Sequence, residues 1–201
     1  PDFKGKRVVV VGGGNVAMDC TRSAIRLGAE KVGIAYRRRQ DDMTALPEEV
    51  EGAIAEGAEL FSLKAPHKIE ADADGNVTAL WVEPQIIGPI DAWGRARPIQ
   101  ADIPLQRIPC DIVVVAIGQG IEIRDFEEAG LAVKRGTIAA LSDSEVEDVR
   151  GVFAGGDCVT GPATVIRAIA SGKVAAANID EYLGFHHVIS CDVESPRVRY
   201  E

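Results

Sequence analysis

The chain reads as an α/β protein built on a parallel sheet, and three features point there. Val8 to Val11 is a run of four β-branched residues, of the kind a buried parallel strand needs, and it stops at three consecutive glycines. A helix-period stretch and a second apolar run, Lys31 to Tyr36, follow at once. The alternation then repeats through a helix near Pro47 and a strand at Glu59 to Leu63, so that right-handed crossovers lay three strands side by side under helices. With 46% hydrophobic residues, the 201-residue chain can bury a real core, as one domain or two small ones.

The glycines carry the first chemistry. Gly12, Gly14 and Ala17 fit the pattern G-x-G-x-x-A, with Gly13 between and Asn15 and Val16 opening the helix. Gly12 allows a tight turn, Gly14 lets a pyrophosphate approach the backbone, and Ala17 is small enough for close helix-strand packing. The phosphates then sit on the free amides and positive dipole end of the helix, which predicts a Rossmann-like dinucleotide-binding domain. Ala17, Cys20, Ala24 and Leu27 form the helix's apolar stripe, Arg22 and Arg26 suit its C-terminal end, and Gly28 stops it. After the second strand, an NAD site places an acidic residue for the adenosine ribose. This chain has Arg37, Arg38 and Arg39, the complement of a 2′-phosphate, although Asp41 and Asp42 stand close enough to pair with them.

Pro47, Glu48, Glu49 and Glu51 open the next helix with a rigid residue and negative charge in its first turn, and it runs to about Gly57. Lys68 to Ala73 and Val77 to Glu83 then alternate around Asp74-Gly75-Asn76, a hairpin signature. A polar connection with Pro84, Pro89, Gly94 and Pro98 leads to strands at Ile103 to Ile108 and Asp111 to Ile117. The expectation is an antiparallel meander packed on the parallel sheet, closing a domain at about residues 1–120. Gly118-Gln119-Gly120 also follows an apolar strand, but Ile123 stands at the third glycine position. It reads as a turn near the bound dinucleotide, not as a second fingerprint.

A second block spans Gly151 to Leu183. Val152 to Ala154 predict a short strand, turned by Gly155 and Gly156, that leaves Asp157 at its carboxyl end. After Gly161-Pro162 a long helix begins, with Val165, Ile169, Gly172, Ala176, Ile179 and Leu183 on one face, predicted buried. Gly172-Lys173 lies inside that helix with Val174 in the Ser/Thr position, so it is no phosphate loop.

The formal charge of -9 with one local basic cluster argues against a nucleic-acid partner. No run approaches a membrane span and no leader opens the chain, so the expected location is cytoplasmic. Cys20, Cys110, Cys158 and Cys191 are widely spaced without C-x-x-C, and His67, His186 and His187 form no ligand pattern, so no metal site is predicted.

GGGNVAMD at Gly12 to Asp19, AYRRR with MTALPEEV at Ala35 to Val50, and DAWGRARP at Asp91 to Pro98 carry a resemblance. So do DIVVVAIGQ at Asp111 to Gln119 and FAGGDCVTGPATVIRAIASGKVAA at Phe153 to Ala176. In this order the motifs resemble the flavoprotein disulfide-reductase superfamily, and more closely the small subunits of glutamate synthase and their relatives, which oxidise NADPH through FAD. The resemblance implies that Gly12, Gly14 and Asn15 hold the NADP pyrophosphate, that Arg37 and Arg38 hold the 2′-phosphate, and that Ala116, Ile117 and Gly118 lie along the dinucleotide. It implies that Asp157, after Gly156, binds the FAD ribityl chain, and that Ala163, Thr164 and Val165 offer backbone donors to the flavin ring.

Such proteins insert the NADP domain into a split FAD domain. The expectation is therefore an excised piece: an NADP domain (1–120), the returning part of the FAD domain (121–184), whose helix face at Val165, Ile169 and Ala176 has lost its partner sheet and is left exposed, and a tail (185–201). A portion of the same parent chain, carrying the opening FAD fingerprint and the iron-sulfur segment, is then its missing partner. A large catalytic subunit or a ferredoxin-like acceptor lies beyond that. No side chain is nominated as catalytic. The alternatives are a non-catalytic NADP(H)-binding module, a related NAD(P)H:ferredoxin-type subunit, and a dehydrogenase acting directly on a small substrate. The last lacks a proton donor near the cofactor.

Overall fold

The computed structural model describes residues 2–90 and 96–189, and the chain divides into two compact units, residues 1–117 and 118–201. The first contains β1 (Arg7–Val11), α1 (Asn15–Arg26), β2 (Lys31–Tyr36), α2 (Pro47–Ala55), β3 (Glu59–Ser62), β4 (Lys64–Ala71), β5 (Val77–Ile90), β6 (Ala96–Gln100), β7 (Gln106–Pro109) and β8 (Ile112–Val115). Four strands form a parallel sheet in the order β3-β2-β1-β8, with Val11 opposite both Ala35 and Val115. β1 lies where the order reverses, so the loops leaving β1 and β8 open side by side at the carboxyl edge.

β1 shows why an unbroken valine run is needed. Val8 and Val10 pack with Ala17, Met18, Ala24, Val50 and Ala53 under the helices, whereas Val9 and Val11 pack with Leu80, Val82 and Cys110 under the antiparallel strands. Helices, parallel sheet and antiparallel sheet are thus three layers, with apolar residues on both faces of the middle one. On α1 the buried positions are Ala17, Met18, Thr21 and Ala24. Leu27, predicted on the buried stripe, is 59% exposed, because it caps the helix beyond its last packed turn.

The hairpin forms as predicted, organised by Asp72, whose Oδ1 accepts from the amides of Asp74 and Asn76. β5 is longer than expected, and the stretch read as a connection is largely strand. Residues 79–82 of β5 pair with β7, and residues 85–90 continue past Pro84 and Pro89 to pair with β6, which contains Pro98. Prolines fit there because this distal part is a two-stranded ribbon with a register shift between Ile87 and Ile90, and each strand has an edge that needs no donor. β7 starts only at Gln106, past Pro104, and β8 is shorter at both ends than the predicted Asp111 to Ile117. Asp91 to Arg95 of the DAWGRARP motif lie outside the described residues.

Arg7 and Asp111 clamp the amino ends of β1 and β8. The Arg7 Nη2 donates to Asp111 Oδ1 at 2.6 Å, and Arg7 N and Nε donate to Oδ2 at 2.8 and 3.1 Å. The Arg7 guanidinium and amide hold the Asp111 carboxyl down to about 2. Because the folded value lies below the ordinary carboxylate value of 3.8, the contribution is complete above about pH 4 and is lost as pH falls towards 2. Asp111→Asn is expected to cost about 1 kcal/mol at pH 7, a partly exposed pair being screened. Urea midpoints should show the mutant deficit shrinking between pH 4 and 2, and a deficit that did not change with pH would contradict the assignment.

The second unit comprises α3 (Arg124–Glu128), a short hairpin of β9 (Val133–Lys134) and β10 (Thr137–Ile138), α4 (Asp157–Thr160) and α5 (Val165–Tyr182). One expectation is corrected here. The strand predicted at Val152 to Ala154 is a single bridge, Phe153 to Glu145, because the described residues of this unit supply no neighbouring strand long enough to extend the pairing. The apolar face of α5 is exposed, in line with the expectation for a piece that lacks its partner sheet: Val165 is 75% and Ile169 56% accessible, with Ile179 and Leu183 also open. The packed face is instead the Ala168 and Ser171 side, where Ser171 Oγ accepts from Gly156 N at 2.8 Å. Helical period locates the apolar stripe but not what covers it.

Candidate nucleotide site at the carboxyl edge

The three glycines are required for different reasons. Gly12 has φ 149°, and a Cβ there would overlap the carbonyl oxygen of Ala116, the residue after β8. It therefore makes the turn and lets the ends of β1 and β8 touch, with Ala116 N donating to Val11 O at 2.8 Å. Gly13 lies under the Tyr36 ring, whose edge would come within 2.5 Å of an added Cβ. Gly14, the N-cap of α1, has φ -102° and ψ 175°, open to any residue, and a Cβ there would meet only Thr44 Oγ1 at 3.5 Å. Nothing inside the protein requires a glycine at Gly14. The space it keeps open is the space in front of the α1 amides, which fits an approaching phosphate.

Several apolar side chains at this edge are left in solvent. Val16, in the first turn of α1, is 65% exposed, and Ile117, beyond β8, is 72% exposed. Asn15 has a role that its place in the fingerprint did not disclose: its Oδ1 accepts from Leu46 N at 2.8 Å. That bond caps the entrance to α2 and ties the two helix N-termini together. Deeper along the helices, Arg22 bridges Glu49 at 2.6 Å and Glu56 at 2.8 Å, fixing α1 against α2.

The arginine cluster divides by partner. Arg39 pairs with Asp42 through Nε and Nη2, at 2.9 and 3.1 Å, and the Asp42 carboxyl is held below its ordinary value by that guanidinium. Of the pairings that the aspartates offered, this one is realised. Tyr36 Oη donates to Asp42 O at 2.8 Å, so the 3-10 turn Gln40–Asp42 folds back beside the glycine loop. Arg38 is half-buried, with Nη1 inside the protein, and its carbonyl accepts from Leu63 N at 3.0 Å. Leu63 is itself held at φ 57° between β3 and β4. Arg37 is exposed, one residue beyond the Tyr36 that covers Gly13. It is the arginine presented to solvent at the sheet edge.

Gly118, where the second unit begins, has φ 97° with nothing within 4 Å of an added Cβ. Within that unit Gly156 has φ 76° and starts α4, whose first residue is Asp157. Asp157 Oδ1 accepts from Ala163 N at 3.3 Å, so the Ala163 amide, expected to face a flavin, is turned inward. Thr164 caps α5, its Oγ1 accepting from Arg167 N, and leaves Val165 at the helix's first position, where no intrahelical acceptor exists. Asp157 Oδ2 and the first amides of α5 are the groups that fit a polyol and a ring edge. Burial pushes the Cys110 thiol up, away from thiolate chemistry. Cys191 lies outside the described residues, among which no group of three His, Cys, Asp or Glu side chains could hold a metal and no helix is long and apolar enough to cross a membrane.

A parallel sheet with a glycine turn at its switch point, beside an exposed arginine, defines a dinucleotide-binding oxidoreductase fold. Residues 1–172 match the pyridine nucleotide-disulphide oxidoreductase family, and the chain belongs to it. NADP and FAD are the cofactors that this membership supports. The chain is 44% identical over 183 residues to the NADP(+)-dependent formate dehydrogenase subunit beta of Moorella thermoacetica, covering 91% of this chain and 26% of that protein. It is 38% identical over 183 residues to the glutamate synthase [NADPH] small chain of Azospirillum brasilense, covering 89% and 37%. Among solved structures, thioredoxin reductase of T. acidophilum superposes with a TM-score of 0.72 at 21% identity, over 90% of this chain and 54% of that one, a likeness of fold. The chain spans 26% and 37% of the length of these two curated relatives.

Proposed function

We propose that the chain is the NADPH-binding part of an electron-transfer oxidoreductase subunit, joined in its second unit to part of an FAD site. The observation that carries this is the pairing of an open helix N-terminus at Gly14 with the exposed Arg37 where an NAD site would place an acid. Gly14 and the first amides of α1 would hold the pyrophosphate, Arg37 the 2′-phosphate, with Arg38 lending charge from behind. Val16, Ala116 and Ile117 would line the dinucleotide's path. In the second unit Asp157, Thr164 and Val165 would hold the ribityl chain and ring of FAD. When bound, FAD supplies the hydride acceptor for NADPH. The chain's own share is orientation and electrostatics, since among the described residues no side chain stands out as an acid or base for the transfer. Electrons would pass on to iron-sulfur centres and then to a glutamate-synthesising subunit or a ferredoxin-like acceptor, in the cytoplasm.

The visible spectrum of the full-length parent tests this reading. Flavin and iron-sulfur bands bleached by NADPH are expected, and a colourless parent would sink it in favour of a non-catalytic NADP(H)-binding module. The 201-residue chain alone should bind NADPH yet accelerate its oxidation by added FAD no faster than free flavin. Stoichiometric FAD on the isolated chain would mean that these residues close a complete flavin site.

A further inference from the structure

We infer that Thr44, far from the glycine fingerprint in sequence, is a further pyrophosphate contact, its hydroxyl donating to the nucleotide; this rests on the nucleotide site proposed above. Three hydrogen bonds fix where this residue stands. Thr44 N and Ala45 N both donate to Gly13 O at 3.0 Å, and Leu46 N donates to Asn15 Oδ1 at 2.8 Å, so residues 44 to 46 are laced across the mouth of the glycine loop. Thr44 Oγ1 is the atom facing Gly14, 3.5 Å from where a Cβ would project, and therefore borders the space that a phosphate must enter to reach the α1 amides.

Among the described residues the hydroxyl proton has no good acceptor. Gly13 O is 3.5 Å away, beyond the range of an O–H···O bond, and both its lone pairs already take amide protons. Thr44 is exposed. A neutral donor with a bond to give, held on a rigid backbone beside the phosphate approach, adds a contact common to every nicotinamide dinucleotide and indifferent to the 2′-position.

Titrations of the 201-residue chain with NADPH and with NADH test it, using Thr44→Val, which keeps the β-branched shape, and Thr44→Ser, which keeps the hydroxyl. Thr44→Val should weaken both nucleotides by the same factor, about tenfold for a lost hydrogen bond to a charged group. Thr44→Ser should stay within about twofold of wild type on the same scale. Melting of the Val variant should be unchanged, since no well-formed intramolecular bond is lost. Wild-type affinity in Thr44→Val overturns the inference, and so does a loss confined to NADPH, which would place the hydroxyl on the 2′-phosphate. A wild-type chain that binds neither nucleotide overturns the nucleotide site itself.

Discussion

Gly14→Val is expected to abolish NADPH binding, weakening it by at least about 100-fold, while the protein still folds. The phosphate at an α1 N-terminus would lose two or more charge-assisted hydrogen bonds, each contributing about 1.5 kcal/mol or more, and each 1.4 kcal/mol is tenfold in affinity. The fold should survive because Gly14 has an ordinary φ of -102° and its Cβ direction meets only Thr44 Oγ1 at an ordinary contact distance. Gly12 and Gly13 cannot separate binding from folding in this way. Any side chain there would strike Ala116 or Tyr36. Calorimetric titration alongside thermal melting checks the prediction, and normal NADPH binding in a folded Gly14→Val protein would move the phosphate site elsewhere.

Arg37→Ala is expected to weaken NADPH by about tenfold to a hundredfold and to leave NADH unchanged, the loss of one charge-assisted bond to a 2′-phosphate. The prediction names Arg37 because the other two arginines are committed in the fold. Arg39 is forked onto Asp42, and the Arg38 guanidinium reaches inward with Nη1 buried. Arg39→Ala should instead disturb both nucleotides together, through the turn that it holds beside the glycine loop. Equal losses of NADPH and NADH in Arg37→Ala would count against reading the arginine as the selector of the 2′-phosphate.

What could be read from the sequence follows locality. A glycine fingerprint, a valine run and a proline-glutamate helix start are decided within a few residues of one another, and each lies where its local chemistry places it. The reason for Gly13 depends on a ring at Tyr36, and the second role of Asn15 depends on Leu46, contacts that no spacing rule encodes. The division of labour among Arg37, Arg38 and Arg39 turned on Asp42, a pairing the sequence offered without deciding it. Prolines misled in the other direction: Pro89 and Pro98 suggested a connection, yet a two-stranded ribbon leaves edges where a missing donor costs nothing. On α5 the apolar stripe was legible from its period, and whether it is covered depends on what else packs there.

On this reading the glycine loop and the exposed Arg37 together select a 2′-phosphorylated nicotinamide dinucleotide. Titrating the wild-type chain with NADPH and NADH in parallel, at low and at raised salt, tests it most directly. Clearly tighter binding of NADPH is expected, with a preference that narrows as salt screens the exposed guanidinium. Equal affinities for the two nucleotides, or a preference that salt does not change, would contradict it.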